Sequence, residues 1–148
     1  MPHFTLAIDN GGPIVNAVVH VSEGRRSALQ AQQVAVPPPQ NIRALVDTGA
    51  AFSSVEPRVL HDLGLTPTGT IDFVTPSTGQ GVVTTNTYDV DLVIYRTPSD
   101  PPLLMPNLRV AACELFLRQG IHALLGRDVL SRCILVYNGD MGLFSLAF

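Results

Sequence analysis

The chain has 148 residues, of which 46% are hydrophobic and only 14% charged, and its formal net charge is -3. This length suits one domain over residues 1–148, large enough to bury a core without disulfides. The weakly acidic balance excludes the basic surface that nucleic acids and anionic membranes attract. So few charges favour a second copy of the chain as a partner, because a dimer covers apolar surface. The alternative is a β-rich monomer with an uncharged polar surface.

The cysteines, the histidines and the first residues indicate which kinds of site and which compartment to expect. Cys113 and Cys133 lack CxxC spacing, so we expect buried thiols, and a bridge between them stays open. The four histidines are scattered without metal-ligand spacing, so no metal site is predicted. The first residues show no secretory pattern, and no apolar run is long enough to cross a bilayer. A cytoplasmic protein is therefore expected.

The first third of the chain reads as β structure interrupted by one polar connection. Residues 4–8 and 14–21 alternate or are β-branched, and the turn residues 10–13 between them predict a hairpin. Residues 22–40 are polar, end in three prolines and are interpreted as an exposed connection. Residues 41–46 then form a short apolar strand.

The remaining elements are again mostly strands, with turn residues between them. Two short helices are predicted, at residues 56–63 and 128–132. The predicted strands cover residues 70–75, 82–94, 108–115, 121–125, 134–137 and 143–148. The turn at residues 138–140 is a strong hairpin signal for the last two strands. The pattern indicates an all-β barrel with one or two short helices.

The motif Asp47-Thr48-Gly49-Ala50 directly follows the apolar run 44–46. Two carboxylates a few ångströms apart can share one proton and activate water for peptide hydrolysis without a metal or cofactor. Asp47 can supply one of them. The hydroxyl of Thr48 can hold the loop, and Gly49 lacks a Cβ that would block an extended substrate. The alternative for this motif is an ordinary turn after a strand, since Asp and Gly both favour turns.

Residues 44–50, together with the later motif Leu124-Leu125-Gly126-Arg127-Asp128, resemble the two signatures of retropepsin-type aspartic proteases. This family comprises the retroviral proteases and their cellular relatives, and a cellular or bacterial member is the best match. The resemblance covers residues 41–148 and implies a closed barrel that forms half of an acid protease. It implies that Leu125 and Gly126 thread beneath the Asp47 loop. It also implies a flap hairpin around residues 70–94, with Ser77, Thr78 and Gly79 near its tip as substrate-binding residues.

The chain departs from the retroviral pattern just after the first motif. Retroviral enzymes typically carry acidic residues there, which bind substrate backbone and pair with the arginine of the second signature. Ala51 and Phe52 occupy those positions here, so Arg127 is expected to find another acid or a backbone carbonyl. Ser53 or Ser54 matches the hydroxyl residue that the family places beside the loop. Asp128 is expected to cap the helix that follows Gly126.

No second Asp-Thr-Gly or Asp-Ser-Gly occurs in the sequence, so a pair of carboxylates requires two chains. The function that the resemblance implies is a homodimeric aspartic endopeptidase acting on peptides or proteins, with Asp47 from each subunit. The alternatives are a non-catalytic peptide-binding or dimerisation module on the same fold, or an unrelated monomeric barrel. Residues 143–148 are a candidate dimer strand, and equally a last core strand.

Overall fold

The structure, a computed structural model, describes residues 1–74, 81–115 and 120–148. Ten strands occur in this part of the chain: β1 (His3–Ala7), β2 (Ile14–Val21), β3 (Gln40–Val46), β4 (Ser54–Val55), β5 (Gly69–Phe73), β6 (Val83–Tyr95), β7 (Leu103–Ala112), β8 (Ala123–Leu125), β9 (Ile134–Asn138) and β10 (Leu143–Ala147). Three helices accompany them: α1 (Glu23–Ala31), α2 (Pro57–Asp62) and α3 (Arg127–Leu130).

Six strands close into a barrel in the order β2-β3-β8-β4-β7-β6, because β6 also pairs with β2. Strand β5 extends this sheet beyond β6. The interior is apolar and includes fully buried side chains such as Val19, Val90, Ile94 and Leu125. The closed, mostly β architecture confirms the fold class predicted from the sequence. None of the helices in the described ranges is long and apolar enough to cross a membrane.

The three-stranded sheet β1-β10-β9 corrects one predicted pairing. A tight turn does form between Asp9 and Gly12, but β1 pairs with β10 rather than with β2. Phe4 on β1 and Phe144 on β10 are both buried, so the chain gains more from packing β1 on this sheet than from a local hairpin. The β9–β10 hairpin is confirmed. Strand β10 lies between two neighbours of its own chain, as expected for a core strand.

Helix α1 lies where the sequence predicted only an exposed connection, so the structure has one helix more than expected. Ser22 caps its start by accepting a 3.4 Å hydrogen bond from the Arg25 N–H. Only Leu29 of this helix is buried. A single buried residue in nine leaves almost no apolar periodicity, which is why the helix was missed.

The predicted strand before the second motif begins earlier than expected. The strand predicted at residues 108–115 is β7, which begins at Leu103 and continues through Pro106. The pairing of β6 with β7 shifts register between Val90 and Leu92, so that Pro106 and Asn107 together face one residue of β6, and Asn107 has a positive φ of 51°; both accommodate this proline. Strands β5 and β6 pair antiparallel from Gly69 opposite Thr87 to Phe73 opposite Val83. The hairpin tip, with Ser77, Thr78 and Gly79, lies outside the described residues.

Candidate active site

Asp47 directly follows β3 and is fixed by two hydrogen bonds, one through its backbone and one through its side chain. Its backbone N–H donates to the Leu125 carbonyl at 3.0 Å, continuing the parallel pairing of β3 with β8. Its side-chain Oδ1 accepts a 2.9 Å hydrogen bond from the Gly49 N–H. The carboxylate is thus oriented by its own loop while the side chain remains half-buried and reachable.

Gly126 brings the two sequence motifs together. A Cβ at this position would lie 2.6 Å from the Phe52 carbonyl carbon and 2.8 Å from its oxygen, so only glycine permits this crossing. Beside it, the Arg127 N–H donates to the Ala50 carbonyl at 2.9 Å. The segment with Leu125 and Gly126 therefore lies directly against the Asp47 loop, in the arrangement that the resemblance implied.

A buried hydroxyl joins the loop to α3. Ser53 is 1% exposed, and its Oγ donates 2.7 Å to Asp128 Oδ1 and accepts 3.0 Å from the Gly126 N–H. Asp128 Oδ2 also accepts from the Ser53 N–H at 2.9 Å. Ser53, rather than Ser54, is thus the hydroxyl residue beside the loop. The N-cap residue of α3 is Gly126, so the expected cap position of Asp128 is corrected: Asp128 lies in the first turn, where its Oδ1 accepts from the Val129 N–H at 2.9 Å as well as from the Ser53 hydroxyl.

Arg127 binds backbone carbonyls, one of the two outcomes that the sequence left open. One guanidinium nitrogen, Nη1, donates to the Thr48 oxygen at 3.0 Å and to the Gly49 oxygen at 3.3 Å. In the described part of the chain, no carboxylate forms an ion pair with Arg127. The arginine therefore supports the exposed tip of the Asp47 loop directly.

A cleft of about 490 Å³ opens beside Asp47. Among the described residues, its walls come from the loop and from β4, β5, β7 and β8, and Asp47 is the only carboxylate in this lining. Two apolar side chains on its border are unusually exposed, Phe52 at 54% and Val74 at 61%. The lining residues are Asp47, Gly49, Ala50, Ala51, Phe52, Ser54, Ile71, Phe73, Val74, Ala111, Cys113 and Leu124.

Sequence reasoning missed most of the cleft wall, and strand alternation is the signal that could have found part of it. Ile71 and Phe73 are two residues apart, as are Ala111 and Cys113, so each pair shares one face. Cys113 is half-buried rather than buried. Burial raises the pKa of its thiol, and the charges of Glu56 and Glu114 raise this pKa further.

A second cavity of about 450 Å³ is lined by none of the motif residues. Its two charged groups, Asp9 and Arg43, pair with each other at 2.6 Å. Across the described ranges, no cluster of three His, Cys, Asp or Glu side chains could hold a metal ion. The Asp47 cleft is therefore the better candidate for chemistry.

Comparisons with known proteins agree with this geometry. The profile of the family described as aspartyl protease matches residues 33–129, which include both motifs. The structure is similar to the crystal structure of a retropepsin-like aspartic protease from Rickettsia conorii, with a TM-score of 0.57 and 19% sequence identity, covering 97% of this chain and 89% of that one. No curated protein matches the sequence. Since the profile covers most of the chain, the protein belongs to the aspartyl protease family and has a retropepsin-like fold.

Proposed function

We propose that the protein is a homodimeric aspartic endopeptidase in which each subunit contributes Asp47. The observation that carries this proposal is the Asp47 carboxylate, which is oriented by the Gly49 N–H and is the only charged group among the described residues that line the cleft. Peptide hydrolysis by water needs a base to activate the water and an acid to protonate the product amine. Two carboxylates sharing one proton supply both roles, and no cofactor is needed.

The second carboxylate has to come from another copy of the chain. The other acids near the motifs have structural partners: Asp128 binds Ser53, and the buried Glu56 accepts from the Leu115 N–H. The single Asp-Thr-Gly in the sequence gives one half of a pair, and a two-fold axis gives the other half. The exposed loop tip at Thr48 and Gly49 is available for contact across that axis.

The surrounding residues keep this carboxylate in place. Leu125 binds the Asp47 backbone, Gly126 allows the close crossing, and Ala50 accepts from the Arg127 N–H. Because the support comes from backbone groups, the Asp47 loop needs little reorganisation when a substrate binds. Ser77, Thr78 and Gly79 remain predicted substrate contacts of the flap.

A second candidate function is peptide binding without cleavage. The observation that favours it is Phe52, which stands where retroviral enzymes carry an acid and which lines the cleft. A groove with this lining can bind an extended peptide whether or not hydrolysis follows.

Replacing Asp47 by Asn separates the two functions. Asn retains an oxygen for the Gly49 N–H, so the fold and the assembly are expected to persist while cleavage of unfolded casein stops. Asp140→Asn is a matched control, because Asp140 is exposed in the β9–β10 turn. Cleavage by the Asp47→Asn protein at the unmodified rate would rule out an aspartic protease that uses Asp47. Peptide binding without cleavage by the unmodified protein would favour the binding module.

A further inference from the structure

Helix α1 turns one narrow face towards the barrel. Leu29 is its only buried residue, Arg26 is half-buried, and the other seven residues are exposed. Leu29 and Arg26 are three positions apart and therefore lie on the same side of the helix. Because so little of α1 is buried, its docking is sensitive to a change of charge on the barrel surface beneath it.

Asp91 on β6 is the barrel residue that Arg26 reaches. Asp91 Oδ2 lies 3.7 Å from Arg26 Nη2, and the Asp91 side chain is only 18% exposed. Its other oxygen, Oδ1, accepts a 2.8 Å hydrogen bond from the Asn107 N–H of β7. The backbone of β7 thus fixes this carboxylate, and one of its two oxygens is already engaged before any cation is bound.

His20 on β2 lies beside the same carboxylate. It stands directly opposite Asp91 in the antiparallel pairing of β2 with β6, and it is half-buried. Burial lowers the pKa of His20, the charge of Arg26 lowers this pKa further, and the charge of Asp91 acts in the opposite direction. The folded protein therefore favours the neutral imidazole more than water does.

The remaining charged residues nearby pair with groups other than His20. They are Glu23 of α1, which pairs with Arg26 of its own helix at 3.3 Å, and Asp89 of β6, which pairs with Arg109 of β7 at 3.3 Å. Strand β3 begins here with the uncharged Gln40, opposite Val19 of β2. The charges of Arg26 and Asp91 therefore decide what a proton on His20 does.

We propose that His20 is a pH-sensitive switch that releases helix α1 from the barrel when its imidazole gains a proton. The protonated ring and Arg26 are two cations beside one carboxylate whose Oδ1 is already engaged, so each weakens the attraction of the other for Asp91. Undocking moves Arg26 away and returns the ring to water, which relieves both the repulsion and the burial. The switch does not involve Asp47, so it stands apart from the proposed protease.

The pH at which α1 is released follows from the direction of the pKa shift. Docking is at full strength above the ordinary histidine pKa of 6.5, and it weakens as the pH falls below this value through the lower pKa of the docked state. Each unit between the two pKa values weakens docking by up to about tenfold. Carboxyl groups in general titrate at about pH 4, below this window.

Hydrogen–deuterium exchange of the full chain at about pH 7.5 and about pH 5.5 tests the switch, with rates corrected for the intrinsic effect of pH on exchange. A released helix of nine residues is too short to stay folded, so its amides lose protection. We expect the α1 amides to lose protection about three- to tenfold at the lower pH. Barrel amides such as that of the fully buried Val90 are expected not to change.

Three substitutions assign the effect to its residues. His20→Gln keeps a neutral polar side chain and is expected to retain the protection of α1 at both pH values. Arg26→Gln removes the docking ion pair, so protection is expected to be low at both pH values. His61→Gln is the matched control, because His61 is an exposed histidine of α2, and this variant is expected to lose protection at the lower pH as the unmodified protein does.

Two results of the exchange experiment would overturn the switch. They are equal protection of α1 at the two pH values in the unmodified protein, and a full loss at the lower pH in the His20→Gln protein. An NMR titration of the His20 ring in the unmodified protein decides independently of any variant. A pKa of His20 below 6.5 supports the switch, and a pKa at or above 6.5 overturns it.

Discussion

The hydroxyl of Ser53 donates a 2.7 Å hydrogen bond to the carboxylate of Asp128 across 75 positions of sequence. The same hydroxyl accepts from the Gly126 N–H. One buried oxygen therefore joins the segment after the Asp47 loop to the segment that crosses beneath it. The geometry of the candidate active site depends on this junction as well as on the motifs themselves.

Replacing Ser53 by Ala is expected to lower the free energy of unfolding by about 1–3 kcal/mol. The change leaves the buried Gly126 N–H without the Ser53 hydroxyl as its acceptor and removes one of the hydrogen bonds to Asp128 Oδ1, which still accepts from the Val129 N–H. Chemical denaturation measures the effect. Ser131→Ala is the control, because Ser131 is exposed and its hydroxyl donates to the Asp128 carbonyl rather than to a buried group. Equal stability of the two variants would show that the junction contributes nothing.

Gly126→Ala is expected to destabilise the protein by about 1–3 kcal/mol, because the new methyl group meets backbone rather than a movable side chain. The loop must shift to relieve the contact, so activity is expected to fall as well. Gly24→Ala is the matched control, since nothing lies within 4 Å of a Cβ at Gly24. In α1 this control is expected to be neutral or slightly stabilising. Similar melting temperatures for both variants would contradict the close contact between Gly126 and the Phe52 backbone.

Arg127→Met is expected to reduce kcat/KM by about tenfold or more, because the carbonyls of Thr48 and Gly49 lose their common donor. The loss of stability is expected to be near 1 kcal/mol, since Arg127 is exposed. Arg58→Met is the control, because the one ion pair that Arg58 forms with a described residue is a long one of 4.0 Å to Asp62. An unchanged kcat/KM in the Arg127 variant would show that the loop needs no such support.

The thiol of Cys113 provides a test of the cleft that depends on pH. Because burial and then the Glu56 and Glu114 charges raise its pKa, fewer thiolates exist at neutral pH than in a free cysteine. The alkylation rate is therefore expected to reach half its maximum above the free-cysteine value of about 8.5. Glu114→Gln removes one of these charges and is expected to speed alkylation at pH 8, whereas Glu23→Gln is not. A midpoint at or below that of free cysteine would contradict the described environment.

The sequence predicted well the features that depend on local chemistry. The barrel strands follow from apolar alternation, whereas the crossing at Gly126 was implied by the resemblance of residues 124–128 to the second family signature. Helix α1 was not predictable, because Leu29 is its only buried residue. The pairing of β1 with β10 was missed because it joins the two ends of the sequence, and turn residues near Gly12 suggested a nearer partner.

The cleft was the least predictable part of the site. Its walls come from four separated segments, so residues such as Ile71 and Ala111 acquire their role only when the sheet forms. Phe52 was recognised as a departure from the retroviral pattern, but its exposure beside Asp47 required the structure. The partner of Arg127 could not be predicted for the same reason, because no sequence pattern identifies a backbone carbonyl that accepts a hydrogen bond from a side chain.

The central claim is that two chains contribute one carboxylate each, and mixing subunits tests it most directly. Unmodified and Asp47→Asn proteins are combined in varying proportions at constant total concentration, allowed to exchange subunits, and assayed for cleavage. If both carboxylates are required, activity follows the square of the unmodified fraction, so an equal mixture retains about a quarter of the full rate. A linear dependence, with half the rate in the equal mixture, would show that each chain acts alone and would contradict the shared site.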